Sequence, residues 1–135
     1  MINIPFLVVC YTVSHIIDWI LQWDWQAINK SKWGLKDNKI LSAAALLTHS
    51  VTYALCVVAI CMIIGVLGDD KVGITLAYLF ITHALIDNRW IVKKIMKFKG
   101  MKDSQVNDVV NFGWMHIGID QRLHELSILL LSLFV

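Results

Sequence analysis

The sequence predicts an all-α protein, a single integral membrane domain over residues 1–135 built as a four-helix bundle with up-down topology. Two observations lead to this expectation. Hydrophobic residues make up 58% of the 135-residue chain and charged residues only 16%, an unusual balance for a soluble domain. The chain also contains four apolar runs of about 20 residues, the length that a helix needs to cross a hydrocarbon layer of about 30 Å.

The four predicted helices cover residues 4–23, 40–67, 72–92 and 115–135. The first opens with Pro5, which a first helical turn tolerates because its missing N–H has no helical partner there. This run lacks a basic leader and a small-residue cleavage site, so we expect it to remain in the mature protein. The third and fourth runs are more polar, and their assignment depends on length and on basic or glycine-containing flanks.

The positive charges predict the orientation of the helices. Ten Lys and Arg residues lie in the loop after the first helix or around the end of the third, whereas the turn after the second holds only Lys71. Because cytoplasmic loops carry the excess of Lys and Arg, both long loops are predicted on the cytoplasmic side of a bacterial inner membrane. Both termini are then predicted on the non-cytoplasmic side.

The segment RWIVKKIMKFKGMK, residues 89–102, mixes basic and apolar side chains and predicts an interfacial amphipathic helix between the third and fourth spans. Its lysines are expected to contact membrane lipids and to gather anionic headgroups or phosphorylated substrates. The alternative is that they only anchor the loop on the cytoplasmic side. No nucleic-acid partner is expected, because the net charge is only +2 and no recognition motif is present.

Four histidines, one on each predicted helix, lie at about the same depth. Each is eight or nine residues from the predicted cytoplasmic end of its helix, which is roughly 12 to 14 Å at 1.5 Å per residue. They are His15, His49, His83 and His124. Three acids form a second layer roughly 7 Å deep. They are Asp18, Asp87 and Asp120.

Helical spacing places the polar residues of each helix on one face. The sets are His15, Asp18 and Gln22; His49 and Tyr53; His83 and Asp87; and His116, Asp120 and His124. An ionisable side chain that faces lipid costs kilocalories, so these residues are expected to turn inward. The four helices would then share one polar pocket near the cytoplasmic face.

Neutral imidazole and carboxylate on rigid helices are the ligands expected for a divalent ion, Zn²⁺ or Mn²⁺. Seven such groups exceed the needs of one ion, so one or two ions are expected. The expected ligands are His15, His49, His83, Asp87, Asp120 and His124, with Asp18 either a ligand or the carboxylate that orients a ligating histidine.

The same pocket contains candidate catalytic and substrate-binding residues. The catalytic candidates are Asp18, Asp120 and Glu125, of which Glu125 could be a general base or could make only an interhelical contact. The substrate-binding candidates are Gln22, Lys30, Lys32, Tyr53, Lys93, Lys94 and Gln121. His116 lies a full turn shallower than Asp120 and is expected at the surface or in the interfacial belt.

Four stretches in this order resemble the DUF3307 family of small bacterial and phage membrane proteins. They are SHIIDWILQWDWQAINKSK, LTHSVTY, THALID and IGIDQRLHELSILL. The resemblance implies that the family positions fall on His15, Asp18, Gln22, Lys30, His49, His83, Asp87, Asp120, Gln121 and His124. The chain also looks distantly like membrane-bound metal-dependent hydrolases, which bear His and Asp on spanning helices.

The expected function is a membrane-embedded metal-dependent hydrolase, open to the cytoplasm, that acts on a phosphoester such as a lipid or a nucleotide derivative. The alternatives are a metal-binding structural or regulatory membrane protein, whose polar cluster only specifies packing, and an ion transporter. A transport path would need polar residues in the outer half, where LCVVAICMIIGVLG and SILLLSLFV are nearly apolar. The apolar outer faces allow a homodimer.

Overall fold

The computed structural model describes residues 2–30 and 39–135, except for the side chains of residues 109 and 110, and every regular element in these ranges is helical. The predicted all-α class is confirmed. Seven α-helices follow in chain order, α1 Ile4–Ile20, α2 Asp24–Asn29, α3 Lys39–Ile63, α4 Val72–Asp87, α5 Trp90–Phe98, α6 Asp103–Asn107 and α7 Val109–Leu131. A 3-10 turn, Asp69–Lys71, precedes α4.

The four long helices form a closed ring in which α1 and α4 each contact both α3 and α7. The N–H of Asn3 donates to the carbonyl of Ser132 at 2.9 Å, so the start of α1 lies beside the end of α7. A short connection joins α3 to α4, which makes these two helices antiparallel neighbours. Both chain termini therefore lie at the same end of the ring.

Several helix ends differ from the predicted ones. The predicted third helix divides because Arg89 adopts a φ of 59°, a left-handed conformation that interrupts a right-handed helix. α3 ends before residue 67 because Gly65, with a φ of 79°, terminates it. α7 begins before residue 115 because the Asp108 carboxylate caps the N–H of Asn111 at 3.1 Å. α1 ends before residue 23, and the separate short helix α2 follows.

α3 is the one described helix that is long and apolar enough to cross a membrane, with 25 residues and a mean hydropathy of 2.0. α1 is also apolar but has 17 residues. α4 is shorter still, because the left-handed turn at Arg89 stops it after 16 residues. The described residues therefore contain one candidate span, and the four-span arrangement stays a prediction.

The interior of the ring is apolar toward the chain termini. Its largest fully buried apolar side chains come from all four long helices and are Phe6, Val57, Leu79, Ile128 and Leu131. Cys10 and Cys61 are buried among them as free thiols. The histidine and aspartate side chains that lie within 4.8 Å of one another gather toward the other end of the ring.

α5 and α6 pack against α7 outside the ring. A small buried cluster holds them there and consists of Val92, Met96 and Val106. The opposite side of α5 is exposed and carries both basic and apolar side chains, Lys94 and Lys97 with Trp90 at 56% and Phe98 at 94%. The amphipathic helix predicted within residues 89–102 is therefore present as α5, and its position at a membrane interface stays a prediction.

Candidate metal centre

Four side chains from three helices of the ring converge on one point. α1 contributes Asp18, α3 contributes His49, and α4 contributes His83 and Asp87, which share a face because they lie four residues apart. The side chains of both histidines and of Asp87 are at most 3% exposed, and that of Asp18 is 13% exposed. Each residue offers one ligand atom, and these atoms all lie within 4.8 Å of one another.

The separations between these ligand atoms are close to those of a tetrahedral metal site. The Nε2 atoms of His49 and His83 lie 3.0 Å apart. Asp18 Oδ1 lies 3.0 Å from His49 Nε2 and 3.6 Å from His83 Nε2, and Asp87 Oδ2 lies 3.2 Å from both. A tetrahedral ion with bonds of about 2.0 to 2.1 Å holds its ligand atoms about 3.3 Å apart. These residues, hereafter the four-ligand group, could therefore hold a metal ion.

Hydrogen bonding alone does not account for this convergence. His49 Nε2 has four polar atoms within 3.3 Å, one of which is Lys30 Nζ. An imidazole nitrogen takes part in one hydrogen bond, either as donor or as acceptor. Three of the four contacts are therefore left without a hydrogen bond. A metal ion would account for the close approach of Asp18, His83 and Asp87 to His49, although not for that of the Lys30 ammonium.

Lys30 lies inside the protein, whereas the sequence predicted it at the mouth of the pocket. α2 packs on α3, where Ser42 Oγ donates to the carbonyl of Asn29 at 2.8 Å. This contact places Lys30 in the protein interior, where it is 8% exposed. Its Nζ donates to Asp87 Oδ2 at 2.8 Å. The ammonium therefore lies at one edge of the four-ligand group and offsets part of its negative charge.

A second set of possible ligands adjoins the first and shares Asp87 with it. In this three-ligand group, Asp87, Asp120 and His124 bring their ligand atoms within 4.8 Å of one another. His124 Nε2 lies 3.5 Å from Asp87 Oδ1 and 3.8 Å from Asp120 Oδ2. Asp87 thus presents one carboxylate oxygen to each group.

Tyr53 holds the ring of His83 in place. Its ring stacks on the imidazole with centroids 3.7 Å apart and an angle of 14° between the planes. Tyr53 is 3% exposed, so this stack is part of the packed interior. The sequence predicted Tyr53 as a substrate-binding residue, and the structure stacks it on His83, a candidate metal ligand. It acts by fixing the direction of His83 Nε2.

A cavity of about 190 Å³ opens beside both groups. Asp18, Asp87 and Asp120 line it, which connects the cavity to the candidate ligands. The other polar residues of its wall are Gln22, Lys30, Arg89 and Gln121. The wall therefore combines three carboxylates with two cations and two neutral amides. A small anionic group could bind there next to a metal ion.

His15 and Glu125 belong to neither group. Three residues separate His15 from Asp18, so their side chains point about 60° apart around α1, and the His15 ring packs edge-on against Tyr11 with centroids 4.6 Å apart. Glu125 accepts a hydrogen bond from the Tyr11 hydroxyl at 3.3 Å and pairs with Arg122. The structure thus gives Glu125 the interhelical contact that the sequence left as its alternative.

The basic residues of α5 do not reach the cavity. Lys93 Nζ donates to Asn107 Oδ1 at 3.2 Å, and Lys94 Nζ lies 3.9 Å from the centroid of the Trp90 ring. Lys32 lies outside the described residues. Of the lysines predicted to bind substrate, only Lys30 is on the described cavity wall.

The surface position predicted for His116 is wrong. The side chain is buried, and its Nε2 hydrogen-bonds to the carbonyl of Val106 at 2.9 Å. α6 folds over this part of α7, an arrangement that residue depth along a single helix does not reveal. His116 therefore ties α6 to α7, outside both ligand groups.

Arg89 is a cavity residue that the sequence analysis did not select. It was counted only among the charges at the end of the third helix, because residues 72–92 were predicted to be one continuous helix. Arg89, with its left-handed conformation, lies two positions after Asp87, the last residue of α4, and is on the cavity wall. The adjacent polar pair Asn88 and Arg89 within an apolar run was the signal that could have located this break.

No family model, curated protein or solved structure matches the chain. The resemblance to the DUF3307 family therefore stays an expectation drawn from short motifs. The fold and the site of the described residues define a class, an all-helical protein in which this part of the chain holds one candidate membrane span and a buried His/Asp cluster that could hold a metal ion.

Proposed function

We propose that the chain is a membrane-embedded metal-dependent hydrolase that cleaves a phosphoester, either a lipid or a nucleotide derivative. One observation carries the proposal. The four-ligand group, with ligand atoms 3.0 to 3.6 Å apart, adjoins a cavity whose wall carries Lys30 and Arg89. Zn²⁺ and Mn²⁺ both accept this combination of imidazole and carboxylate.

A bound divalent ion would lower the pKa of a water molecule and polarise a phosphoryl oxygen. The residues of the chain provide binding and orientation. Arg89 presents a planar fork of N–H donors suited to a phosphate, and the Lys30 ammonium adds a second positive charge. Gln22 and Gln121 can donate or accept hydrogen bonds from the rest of the headgroup. Of the predicted catalytic acids, Asp18 and Asp120 face the cavity.

The exposed surface supports a membrane location. α3 is long and apolar enough to span a bilayer, and large apolar side chains are exposed on the outside of the ring. Among them are Ile40, Ile63 and Ile74, at 85%, 83% and 60%. Burial of these side chains in lipid would remove this apolar surface from water. With the excess of basic residues in two loops, we place the protein in a bacterial inner membrane with the site toward the cytoplasm.

A second candidate function is a structural or regulatory metal-binding membrane protein. Four protein ligands complete the coordination of a tetrahedral ion, as in structural zinc sites, whereas catalytic zinc sites keep one position open. Because the four-ligand group offers four protein ligands, it favours a structural metal site with no position left for water or substrate. An ion transporter is less well supported, because the half of the ring toward the chain termini is packed with apolar side chains.

The test is phosphate release by the full chain in detergent, stripped with a chelator and then loaded with Zn²⁺ or Mn²⁺. Two probes are a phosphatidic acid in mixed micelles and a nucleoside monophosphate. We expect metal-dependent release from one probe, loss of release in His83→Ala, and unchanged release in Asp103→Asn, an exposed acid on α6. An ion bound in a fixed ratio without release from either probe would overturn the hydrolase and favour the second candidate.

A further inference from the structure

The two oxygens of Asp87 face different partners. Oδ2 lies 3.2 Å from the Nε2 atoms of both His49 and His83 and accepts the 2.8 Å hydrogen bond from Lys30. Oδ1 lies 3.5 Å from His124 Nε2. The Asp87 side chain is only 1% exposed, so these groups are the surroundings of the carboxylate. This is the arrangement of a carboxylate that bridges two cations.

His124 supplies an independent sign of an absent cation. Its side chain is 8% exposed, and its Nε2 makes no hydrogen bond within the described residues. Burying a polar nitrogen without a partner costs about 1 to 3 kcal/mol. The nitrogen nevertheless points at two carboxylate oxygens, Asp87 Oδ1 at 3.5 Å and Asp120 Oδ2 at 3.8 Å. These separations are too long for hydrogen bonds and suit atoms that share a metal ion.

We propose that the three-ligand group binds a second divalent ion, with Asp87 as the bridge to the ion of the four-ligand group. Asp120 and His124 hold this second ion, and neither belongs to the four-ligand group. The proposal rests on the first ion site proposed above, because Asp87 serves both. Enzymes with paired ions hold them about 3.5 to 4 Å apart, a distance that one carboxylate can bridge.

The two ions have different roles because their groups offer different numbers of ligands. The four-ligand group fills a tetrahedral ion and leaves no position free. The three-ligand group leaves one position open, and both of its carboxylates line the cavity. A water molecule or the phosphoryl oxygen of a substrate would therefore bind at the open position of the second ion, while the first ion would fix Asp87. This assignment reconciles a closed tetrahedral site with a hydrolytic function.

The charges of the pocket also fit two ions. Without metal, the two groups contain three carboxylates, and among the described residues only Lys30 brings an ammonium into contact with them. One divalent ion brings the ligands close to neutrality, and a second makes the pocket positive before substrate enters. A positive pocket that also contains Arg89 is complementary to a phosphate group. The same charge would repel a cationic substrate.

Metal stoichiometry tests the proposal without any assay of activity. The full chain in detergent is stripped with a chelator, titrated with Zn²⁺ and measured by elemental analysis. We expect two ions per chain in the wild type and one in His124→Gln and Asp120→Asn. The matched control is His116→Gln, the same substitution at another buried histidine of α7, which should keep two ions. Helical circular dichroism verifies that each variant is folded.

Electron paramagnetic resonance with Mn²⁺ tests whether Asp87 is a bridge. Two ions joined by one carboxylate give a spin-coupled spectrum, whereas His124→Gln should show the six lines of an isolated Mn²⁺. One ion per chain in both the wild type and folded His124→Gln would overturn the second site and leave the first intact. Two uncoupled ions would overturn the bridge. Two coupled ions without phosphate release would support this inference and overturn only the proposed hydrolase.

Discussion

The Nε2 atoms of His49 and His83 lie 3.0 Å apart, although they come from two helices and neither ring is more than 3% exposed. Two imidazolium rings would repel at this distance, so at least one ring must be neutral. A neutral imidazole nitrogen carries the lone pair that a metal ion requires. The pair therefore provides at least one nitrogen ligand in the form suited to Zn²⁺ or Mn²⁺.

Adding Zn²⁺ should stabilise the folded chain. The ligands of the four-ligand group come from three helices, so unfolding destroys the site and releases the ion. At a free ion concentration of about 100 times the Kd, this linkage adds about 2.7 kcal/mol. We expect the Tm measured in detergent to rise on the order of 5 to 10 °C. The rise should disappear in His83→Gln and persist in Asp103→Asn. An equal rise in His83→Gln would contradict binding at this site.

Replacing Lys30 with methionine should strengthen metal binding. The ammonium is 2.8 Å from Asp87 and 3.3 Å from His49, so it repels an incoming cation and competes for both ligands. Two like charges about 4 Å apart interact by about 4 kcal/mol at an effective dielectric constant of 20. Even partial relief should lower the Kd for Zn²⁺ about tenfold or more, as measured by isothermal titration calorimetry. Weaker binding in the variant would mean that Lys30 supports the ligands.

Lys30→Met should bind the phosphoester substrate more weakly, although it should bind the metal ion more strongly. Loss of a cavity cation should raise the KM for an anionic substrate even when the ion binds more tightly. The two measurements together separate a lysine that contacts substrate from one that only packs. Lys97→Met is the control, because Lys97 is exposed on α5 and pairs with Asp103.

Tyr53 should affect metal affinity through the orientation of His83. The two rings are stacked with centroids 3.7 Å apart. Tyr53→Phe keeps the stacked ring and should change the Kd for Zn²⁺ less than about threefold. Tyr53→Leu removes it and should weaken binding about 10- to 100-fold, the usual effect of losing a group that orients a metal ligand. Equal Kd values in folded Phe and Leu variants would show that stacking does not orient the ligand.

The all-helical fold and the convergence of polar residues could be predicted from the sequence. Apolar run lengths located the four long helices, and counting residues inward placed His49 and His83 at similar depths, with Asp87 in a shallower layer. The rotation of α1 was harder to predict, because spacing in one helix does not determine which of two nearby polar residues comes close enough to join the candidate ligands. Asp18 faces the other ligands and His15 packs against Tyr11.

Two features of the site depend on tertiary structure that local patterns do not contain. Lys30 reaches Asp87 because α2 folds back on α3, and a loop lysine carries no sign of such a return. Arg89 reaches the cavity because it adopts a left-handed conformation, which is sterically unfavourable for a residue with a side chain. Both features bring positive charge to the pocket, so the sequence predicted its ligands better than its cations.

Arg89 should lower the stability of the fold through its backbone conformation and should bind substrate through its guanidinium. A left-handed conformation costs a residue with a side chain roughly 1 kcal/mol relative to glycine, and such strain is typical of functional sites. Arg89→Gly and Arg89→Ala both remove the guanidinium from the cavity, but only Gly relieves the backbone. Urea unfolding should therefore show Arg89→Gly about 1 kcal/mol more stable than Arg89→Ala.

Both variants should raise the KM for the phosphoester probe by a similar factor, on the order of tenfold, because each loses the same charged hydrogen-bond donors. Zn²⁺ stoichiometry should not change, since Arg89 is not among the candidate ligands. The opposite outcome is a KM raised in Arg89→Ala but close to wild type in the more stable Arg89→Gly. This would mean that the left-handed turn shapes the cavity and the guanidinium does not bind substrate. A KM raised equally in both assigns the effect to the positive charge.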